Sequence, residues 1–196
     1  MNSRILHALG HLYDDEQRHW QTTADYRFEH GINISQVAGH CGCPTVTPIT
    51  LLPHRRFDLP NPNDETVEGC VIEARAADGE TVIDLVAWPI ADPADVRTLC
   101  GAAPMVGLWS ALNPGTYTFN YPLVVYRSPL AWLNADCEGA AVAVPKLAVQ
   151  TLLEITDIGG RIGAQDAAHA GELRGLLQAL VDQVEIVAPK PIRRAA

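Results

Sequence analysis

The sequence predicts an α/β fold with a mixed sheet. Residues 69–88 form two β-rich arms around Asp78-Gly79, a dipeptide typical of tight hairpin turns, which predicts an antiparallel hairpin. Two strand-like runs, 123–127 and 140–144, are separated by the dozen or so residues that a parallel crossover needs. Helical patterns with an apolar stripe surround these strands, so we expect a parallel βαβ unit with helices packed on the sheet.

Residues 3–20 carry apolar side chains at helical spacing, which predicts an amphipathic helix. Residues 21–66 hold a glycine or proline every few positions, and this predicts irregular backbone with short strands, one of them over 45–52. A helix is predicted over 93–101, because Asp92 can cap free N–H groups and a proline occupies the first helical position. The other predicted elements are helices that begin at Ser128-Pro129, Pro145 and Asp166, and a final strand at 184–187.

The chain has 196 residues, of which 47% are apolar, enough for one continuous core. We expect a single α/β domain over 1–188, with a helix and an irregular Pro/Gly-rich segment in 1–66 and the α/β core in 67–188. Residues 189–196 are expected to form a flexible basic tail. No apolar run reaches the ~18–20 residues of a membrane span, and no signal-peptide pattern is present. We therefore expect a cytoplasmic protein without membrane contact.

The net charge of −9 is concentrated in one segment, 58–95, which contains ten acidic side chains and one basic residue, Arg75. Nucleic-acid binding depends on phosphate neutralisation by Lys and Arg, so we expect no direct nucleic-acid binding. An acidic surface suits a basic protein partner instead, and Asp64, Glu65 and Glu68 are predicted to contact it. Homo-oligomer formation stays open.

Cys41 and Cys43 form a Cys-x-Cys half-site that would suit zinc. A closed structural zinc site needs four ligands, and no second cysteine pair follows. The alternative is a turn with partly buried free thiols, since the chain has five cysteines, an odd number that argues against a disulfide framework.

Another possible metal ligand set lies in the first predicted helix, where His7, His11, Asp15 and His19 are spaced four residues apart. Neighbours at this spacing can touch, and a histidine pair can bind zinc or nickel. The row drifts around the helix axis, so all four side chains cannot converge on one ion. The alternative is an ordinary solvated helix face.

Glu73 and Asp84 lie on opposite arms of the predicted hairpin. Counting outward from Asp78-Gly79 places them directly opposite each other. Opposed carboxylates repel unless a cation lies between them, so the pair indicates either a Mg²⁺ site of the nuclease type or an exposed strand face. Arg75 stands where restriction-type nucleases carry a lysine.

A candidate anion site lies at the carboxyl edge of the two predicted parallel strands. Arg127 ends the first strand, Ser128 begins the next helix, and Lys146 lies in the first turn after the second strand. Two cations beside two helix N-termini would suit a phosphate or carboxylate, and ligands of open α/β sheets collect at this edge. Ordinary helix starts with solvated cations are the alternative.

Three stretches resemble proteins of mobile elements. EHGINISQVAGHCGCP (29–44) resembles the entry to the zinc ribbon of bacterial and phage DNA primases, but the second cysteine pair of that ribbon is missing, which implies a metal-free relative. DLVAWPIADPADV (84–96) and SPLAWLNADCEGAAVAV (128–144) resemble small uncharacterised proteins of phage and plasmid elements, some of them associated with primase-like genes. The resemblance implies no catalytic residue.

The sequence contains none of the patterns GxSxG, GxxxxGK[ST] or GxGxxG, so common routes to nucleophilic hydrolysis or nucleotide binding are not predicted, and we expect no cofactor. We interpret the chain as a non-catalytic accessory or binding protein of a bacterial mobile element that acts through a protein partner. The alternative is a metal-dependent hydrolase or nuclease that uses Glu73 and Asp84.

Overall fold

A computed structural model describes residues 2–117 and 121–181 and has the predicted α/β fold, with two sheets surrounded by helices. The helices are α1 (Ser3–Arg18), α2 (Trp20–Glu29), α3 (Ile34–Cys41), α4 (Leu108–Leu112), α5 (Pro129–Leu133), α6 (Pro145–Asp157) and α7 (Ala167–Val181), and a 3₁₀ turn spans Pro114–Thr116. The strands are β1 (Thr45–Leu52), β2 (Arg56–Asp58), β3 (Val67–Arg75), β4 (Val82–Pro89), β5 (Arg97–Thr98), β6 (Met105–Val106), β7 (Leu123–Tyr126), β8 (Ala140–Val142) and β9 (Ile162–Ala164).

The N-terminal helices cover the first sheet. The predicted helix over 3–20 is interrupted at His19, where the backbone leaves the helical region, and α2 then continues to Glu29. The region 21–66 is therefore more helical than predicted. Trp88 of β4 donates its indole N–H to the Tyr26 hydroxyl at 2.9 Å in the buried interior, which fixes α2 against the sheet.

The first sheet is a closed barrel with strand order β1-β2-β5-β4-β3. Strand β1 confirms the prediction for 45–52, and β3 and β4 form the predicted antiparallel hairpin. Ile49, Phe57, Val71 and Leu85 come from four different barrel strands and pack in one cluster with Ile5 of α1. Ile5, Ala8 and Leu12 of α1 are buried against the barrel, whereas Leu6 and Tyr13 of the same helix are exposed, so the predicted apolar stripe is buried only in part.

The barrel closes at a short parallel seam between β2 and β5, where Arg56 and Thr98 are the paired residues. The Arg56 guanidinium donates to the carbonyls of Thr98 and Leu99, which lie on the other side of the seam. Arg97 donates in the opposite direction, to the carbonyls of Leu52 at 2.7 Å and of Arg56 at 3.2 Å. The Thr98 N–H donates to the Arg55 carbonyl at 3.1 Å, so backbone and arginine side-chain donors together close the seam.

The hairpin turn is wider than the predicted two-residue turn. Gly79 has φ +75°, but Asp78 does not adopt positive φ, so the type I′ geometry is wrong. The Ala76 N–H instead bonds the Thr81 carbonyl at 2.8 Å. The Asp78 carboxylate accepts hydrogen bonds from the N–H groups of Glu80 and Thr81, and these bonds stabilise the longer loop.

A β-bulge in β4 changes the predicted register of the hairpin. Arg75 pairs with Val82, but the next pair is Ala74 with Asp84, so Ile83 is an extra residue. Glu73 consequently pairs with Leu85 rather than with Asp84. A shift of one residue moves a side chain to the opposite face of a strand.

The second sheet has the order β6-β8-β7-β9. Strands β7 and β8 are parallel and connected through α5, which confirms the predicted βαβ unit. Strand β9 was not predicted, and the predicted helix over 93–101 is wrong, because this segment forms turns and the short strand β5. The predicted strand at 184–187 and the basic tail 189–196 lie outside the described residues.

One buried cluster contains side chains from both sheets, including Trp88 and Val86 of the barrel and Val106 and Ala141 of the second sheet, together with Trp132 of α5. The two sheets therefore share core packing. Among residues 2–117 and 121–181, no helix has the length and apolar character needed to cross a membrane.

Candidate functional site

Two adjoining cavities, of about 190 and 590 Å³, lie beside the junction of the two sheets. The smaller lies between the end of α3, the hairpin turn and α4. The larger lies between α4, the segment leading into β7, and the loop 134–139. We call the two cavities together the cleft. The residues that line both cavities are His40, Trp109, Ser110 and Cys137.

Arg75 holds one wall of the cleft together. Its guanidinium forms an ion pair with Glu73 at 2.7 Å and donates to the carbonyls of Gly39, at 2.7 Å, and Gly79, at 3.4 Å. The side chain thus connects the hairpin strand with the end of α3 and with the hairpin turn. Because its charge is paired with Glu73, Arg75 contributes little net positive charge to the cleft.

Two aromatic side chains are exposed in the cleft. Trp109 of α4 is 42% exposed, and Tyr121, just before β7, is 75% exposed. A Cβ atom added at Gly79 would lie 3.4 Å from Cδ1 of the Trp109 ring, so the indole lies against the hairpin turn. Exposed aromatic rings beside a cavity supply large contact area at small entropic cost on binding.

The loop 134–139 has an unusual backbone. Asp136 and Cys137 have φ angles of 52° and 62°, in the left-handed region that side chains other than glycine rarely adopt. The loop is held by Trp132. Its indole N–H donates to the Gly139 carbonyl at 3.1 Å, and its backbone carbonyl accepts a hydrogen bond from the Cys137 N–H, also at 3.1 Å. Strained residues of this kind concentrate at binding sites, where the surrounding structure enforces the conformation.

The charged groups of the cleft are mostly acidic. Glu80, Asp136 and Glu138 are exposed, and none forms an ion pair within the described part of the chain. The Asp78 carboxylate is engaged in the turn, and its hydrogen bonds with Thr81 and Glu80 lower its pKa. The pKa of the Tyr126 phenol is raised, first by burial and then by the negative charge of Glu138.

All five cysteines are free thiols. The pKa of Cys41 lies well above its ordinary value, because Cys137 is hydrogen-bonded to it and because it is buried. Burial also raises the pKa of Cys70. These thiols stay protonated at neutral pH, which makes them poor nucleophiles and poor metal ligands.

The structure does not bring the predicted zinc half-site together. Cys41 is fully buried and directs its thiol to the Val37 carbonyl at 3.5 Å, whereas Cys43 is exposed. The pKa of Cys43 is raised by partial burial and then by Glu16. Within residues 2–117 and 121–181, no three His, Cys, Asp or Glu side chains are grouped so that they could hold a metal ion.

The predicted pairing of Glu73 with Asp84 is wrong. The β-bulge at Ile83 places the two side chains on opposite faces of the hairpin. Glu73 forms its ion pair with Arg75, while Asp84 is fully buried and accepts hydrogen bonds from backbone N–H groups, including those of Cys100 and Ala102. The two carboxylates cannot share a Mg²⁺ ion in this arrangement.

The residues of the predicted anion site have other contacts. Arg127 faces the carboxylates of Asp166 and Glu172, both at 3.2 Å. The Ser128 hydroxyl caps the five-residue helix α5 through the Ala131 N–H, and Lys146 is exposed in α6. The anion site stays a prediction. The cleft follows β7 from Leu123 to Tyr126 and reaches Gly139, just before β8, and none of the three residues of the predicted anion site lines it.

The predicted partner surface, Asp64, Glu65 and Glu68, is exposed but lies outside the cleft. The Asp64 carboxylate accepts hydrogen bonds from Asn61, which lower its pKa. The acidic segment as a whole does not form a uniform acidic surface. Asp84 is buried, and three other members have arginine partners: Asp58 with Arg4, Glu73 with Arg75, and Asp95 with Arg97.

Sequence reasoning missed the cleft, because its walls come from five separate segments and no local pattern marks them. No protein-family model matches the chain, and no match was found among curated proteins or among solved structures.

Proposed function

We propose that this protein is a non-catalytic binding protein whose cleft takes a basic segment of a protein partner. The observation that carries the proposal is the combination of three carboxylates without an ion-pair partner among the described residues, Glu80, Asp136 and Glu138, with the exposed rings of Trp109 and Tyr121 around one cleft.

The charges favour a cationic side chain over other ligands. A guanidinium group can bond a carboxylate through two parallel N–H donors, and it can also lie on an aromatic face. A cation over an indole ring gains about 0.5–2 kcal/mol, depending on how far it is desolvated. Trp109 and Glu80 line the smaller cavity together, so one arginine or lysine side chain could use both contacts there.

The size of the cleft suits a peptide segment. The larger cavity, of about 590 Å³, falls within the ~300–1,000 Å³ typical of ligand pockets. It adjoins the smaller one through Trp109 and Cys137, so an extended segment could place successive side chains in both.

Catalysis has less support from the described residues. No serine or cysteine of the cleft forms a hydrogen bond with His40 in the described residues, and Cys137 is a buried free thiol. A metal-dependent hydrolase built on Glu73 and Asp84 lacks its geometric basis, because the two carboxylates lie on opposite faces. The sequence resemblance of 84–96 and 128–144 supports a partner encoded by the same mobile element.

Isothermal titration with an arginine-rich peptide and its isosteric citrulline counterpart tests the proposal. The arginine peptide should bind, and the double variant Glu80→Gln/Glu138→Gln should weaken it about tenfold or more, because about 1.4 kcal/mol corresponds to a factor of ten. Trp109→Ala should weaken it as well. All three side chains are exposed enough that the variants should fold.

The matched control is neutralisation of the acidic residues outside the cleft, Asp64→Asn/Glu65→Gln/Glu68→Gln, which should leave binding within a factor of about two at moderate salt. Equal binding of both peptides, or no binding of the arginine peptide, would contradict the proposal. Weakening by the control variant alone would move the contact to the surface predicted from sequence.

A further inference from the structure

Two histidines on the exposed face of α1 direct the same ring nitrogen toward each other. The Nε2 atoms of His7 and His11 lie 3.2 Å apart, with ring centroids separated by 4.5 Å and ring planes inclined by 78°. Both side chains are exposed. They lie one helical turn apart, so the rigid backbone of the helix maintains this spacing.

We propose that His7 and His11 form a two-ligand site for a divalent transition-metal ion. Zinc-type ions bind imidazole nitrogen at about 2.0–2.1 Å. Two nitrogens at that distance from one ion and 3.2 Å from each other subtend an angle of about 100° at the ion. This angle lies between the square-planar and tetrahedral values. In the metal-free pair one Nε2 donates to the other, so the donor ring must carry its proton on Nδ1 when the ion binds.

The surroundings leave room for the ion and its water ligands. A cavity of about 560 Å³ is bounded by both histidines and by the carboxylates of Asp15 and Asp58. Asp58 forms an ion pair with Arg4 at 2.6 Å, and Asp15 accepts the Thr47 hydroxyl at 2.8 Å. Arg4 and Arg18 line the same cavity and pair with Asp58 and Asp15, so these groups bring little net charge to the site, and water completes the coordination.

The ligand type selects the class of ion. Neutral imidazole suits Cu²⁺, Ni²⁺ and Zn²⁺, whereas Mg²⁺ and Ca²⁺ prefer sets of oxygen ligands. The affinity should follow the usual order for nitrogen ligands, with Cu²⁺ tighter than Ni²⁺ or Zn²⁺. His19 does not belong to the site, because it lies beyond the last helical residue of α1, where the backbone turns away.

Titration of the full chain, without a polyhistidine tag, with NiCl₂ and CuCl₂ tests the site. One ion should bind per chain, and the Cu²⁺ spectrum in electron paramagnetic resonance should show two nitrogen ligands. His7→Asn and His11→Asn should each weaken Ni²⁺ binding at least tenfold, whereas the matched control His19→Asn should leave it unchanged. Bound metal should raise the melting temperature of the wild-type protein and of the control only, because it binds the folded helix.

Three results would contradict the proposed His7–His11 metal site. Undiminished binding in the double variant His7→Asn/His11→Asn would overturn the site. Binding that instead disappears in Cys43→Ser would assign the ion to the exposed thiol. Absence of any bound Ni²⁺ or Cu²⁺ in the wild-type chain would refute the proposal outright, and circular dichroism of each variant verifies that it is folded.

Discussion

Replacement of Asp84 tests whether one buried carboxylate organises the segment between β5 and β6. The side chain is fully buried. Its oxygens accept hydrogen bonds from the backbone N–H groups of Leu85, Cys100, Ala102 and Ala103, at 2.9, 2.7, 2.6 and 3.3 Å. Three of these donors come from the segment that leads from the barrel into the second sheet.

The expected loss in the free energy of unfolding follows from the backbone N–H donors that lose their acceptor when Asp84 is replaced. Asp84→Ala leaves three long-range N–H groups unsatisfied, and each such group costs about 1–3 kcal/mol when buried. Water entry and relief of the buried charge offset part of this sum, so we expect a loss of about 3–6 kcal/mol in the free energy of unfolding. Asp84→Asn keeps the shape of the side chain, but its amide NH₂ faces one pair of backbone N–H groups in place of an acceptor oxygen. The free energy of unfolding should therefore fall by about 2–3 kcal/mol.

Urea denaturation followed by circular dichroism measures these losses, with the slope m as the check on two-state unfolding. The matched control is Asp92→Ala, because the Asp92 carboxylate is exposed and accepts one hydrogen bond, from the Ala94 N–H at 3.2 Å. It should lose about 1 kcal/mol or less. If Asp84→Ala also stays within about 1 kcal/mol of the wild type, the carboxylate does not organise this segment.

Two further changes follow from the described contacts. Gly107→Ala should lower the free energy of unfolding by roughly 2–4 kcal/mol, because φ is +73° and a Cβ would overlap the Gly139 carbonyl. The control Gly10→Ala, in open space on α1, should raise the free energy of unfolding. Equal effects of the two substitutions would contradict this reasoning. Burial and then Arg127 lower the pKa of His169, so its contribution to stability is present above the unfolded value of about 6.5 and is lost as the pH falls toward the folded pKa. His169→Gln should therefore reduce the fall in unfolding free energy between about pH 7 and pH 5, and an unchanged pH dependence would show that His169 does not carry it.

Local patterns in the sequence predicted several elements well and failed where distant pairing decided the structure. Asp92 caps a turn as its chemistry suggests, yet no helix follows, because Thr98 pairs with both β2 and β4. The hydrogen bonds of the sheet outweigh a local helix start here. Strand β9 is three residues long and pairs with β7, and so short a segment has no periodicity of its own.

The candidate site depended on features that a sequence does not display. The predicted carboxylate pair rested on a register counted from the turn, and one extra residue, Ile83, reversed the face of Asp84. The cleft joins Trp109, the hairpin turn and the loop 134–139, which are far apart in the chain. By contrast, the His7–His11 contact follows directly from helical spacing, and the structure brings together this pair of candidate metal ligands that the sequence predicted.

The barrel closes only at the seam between β2 and β5, so the sheet keeps open edges until the chain extends through β5. Arg56 meets its strand partner only after residues 97–98 have been added, so a chain that ends earlier leaves β2 and β4 each with an unpaired edge. Free strand edges are templates for intermolecular pairing. Truncation before β5 should therefore yield an aggregation-prone fragment rather than a smaller soluble domain, and we expect that the N-terminal helices with β1–β4 do not fold as an independent unit.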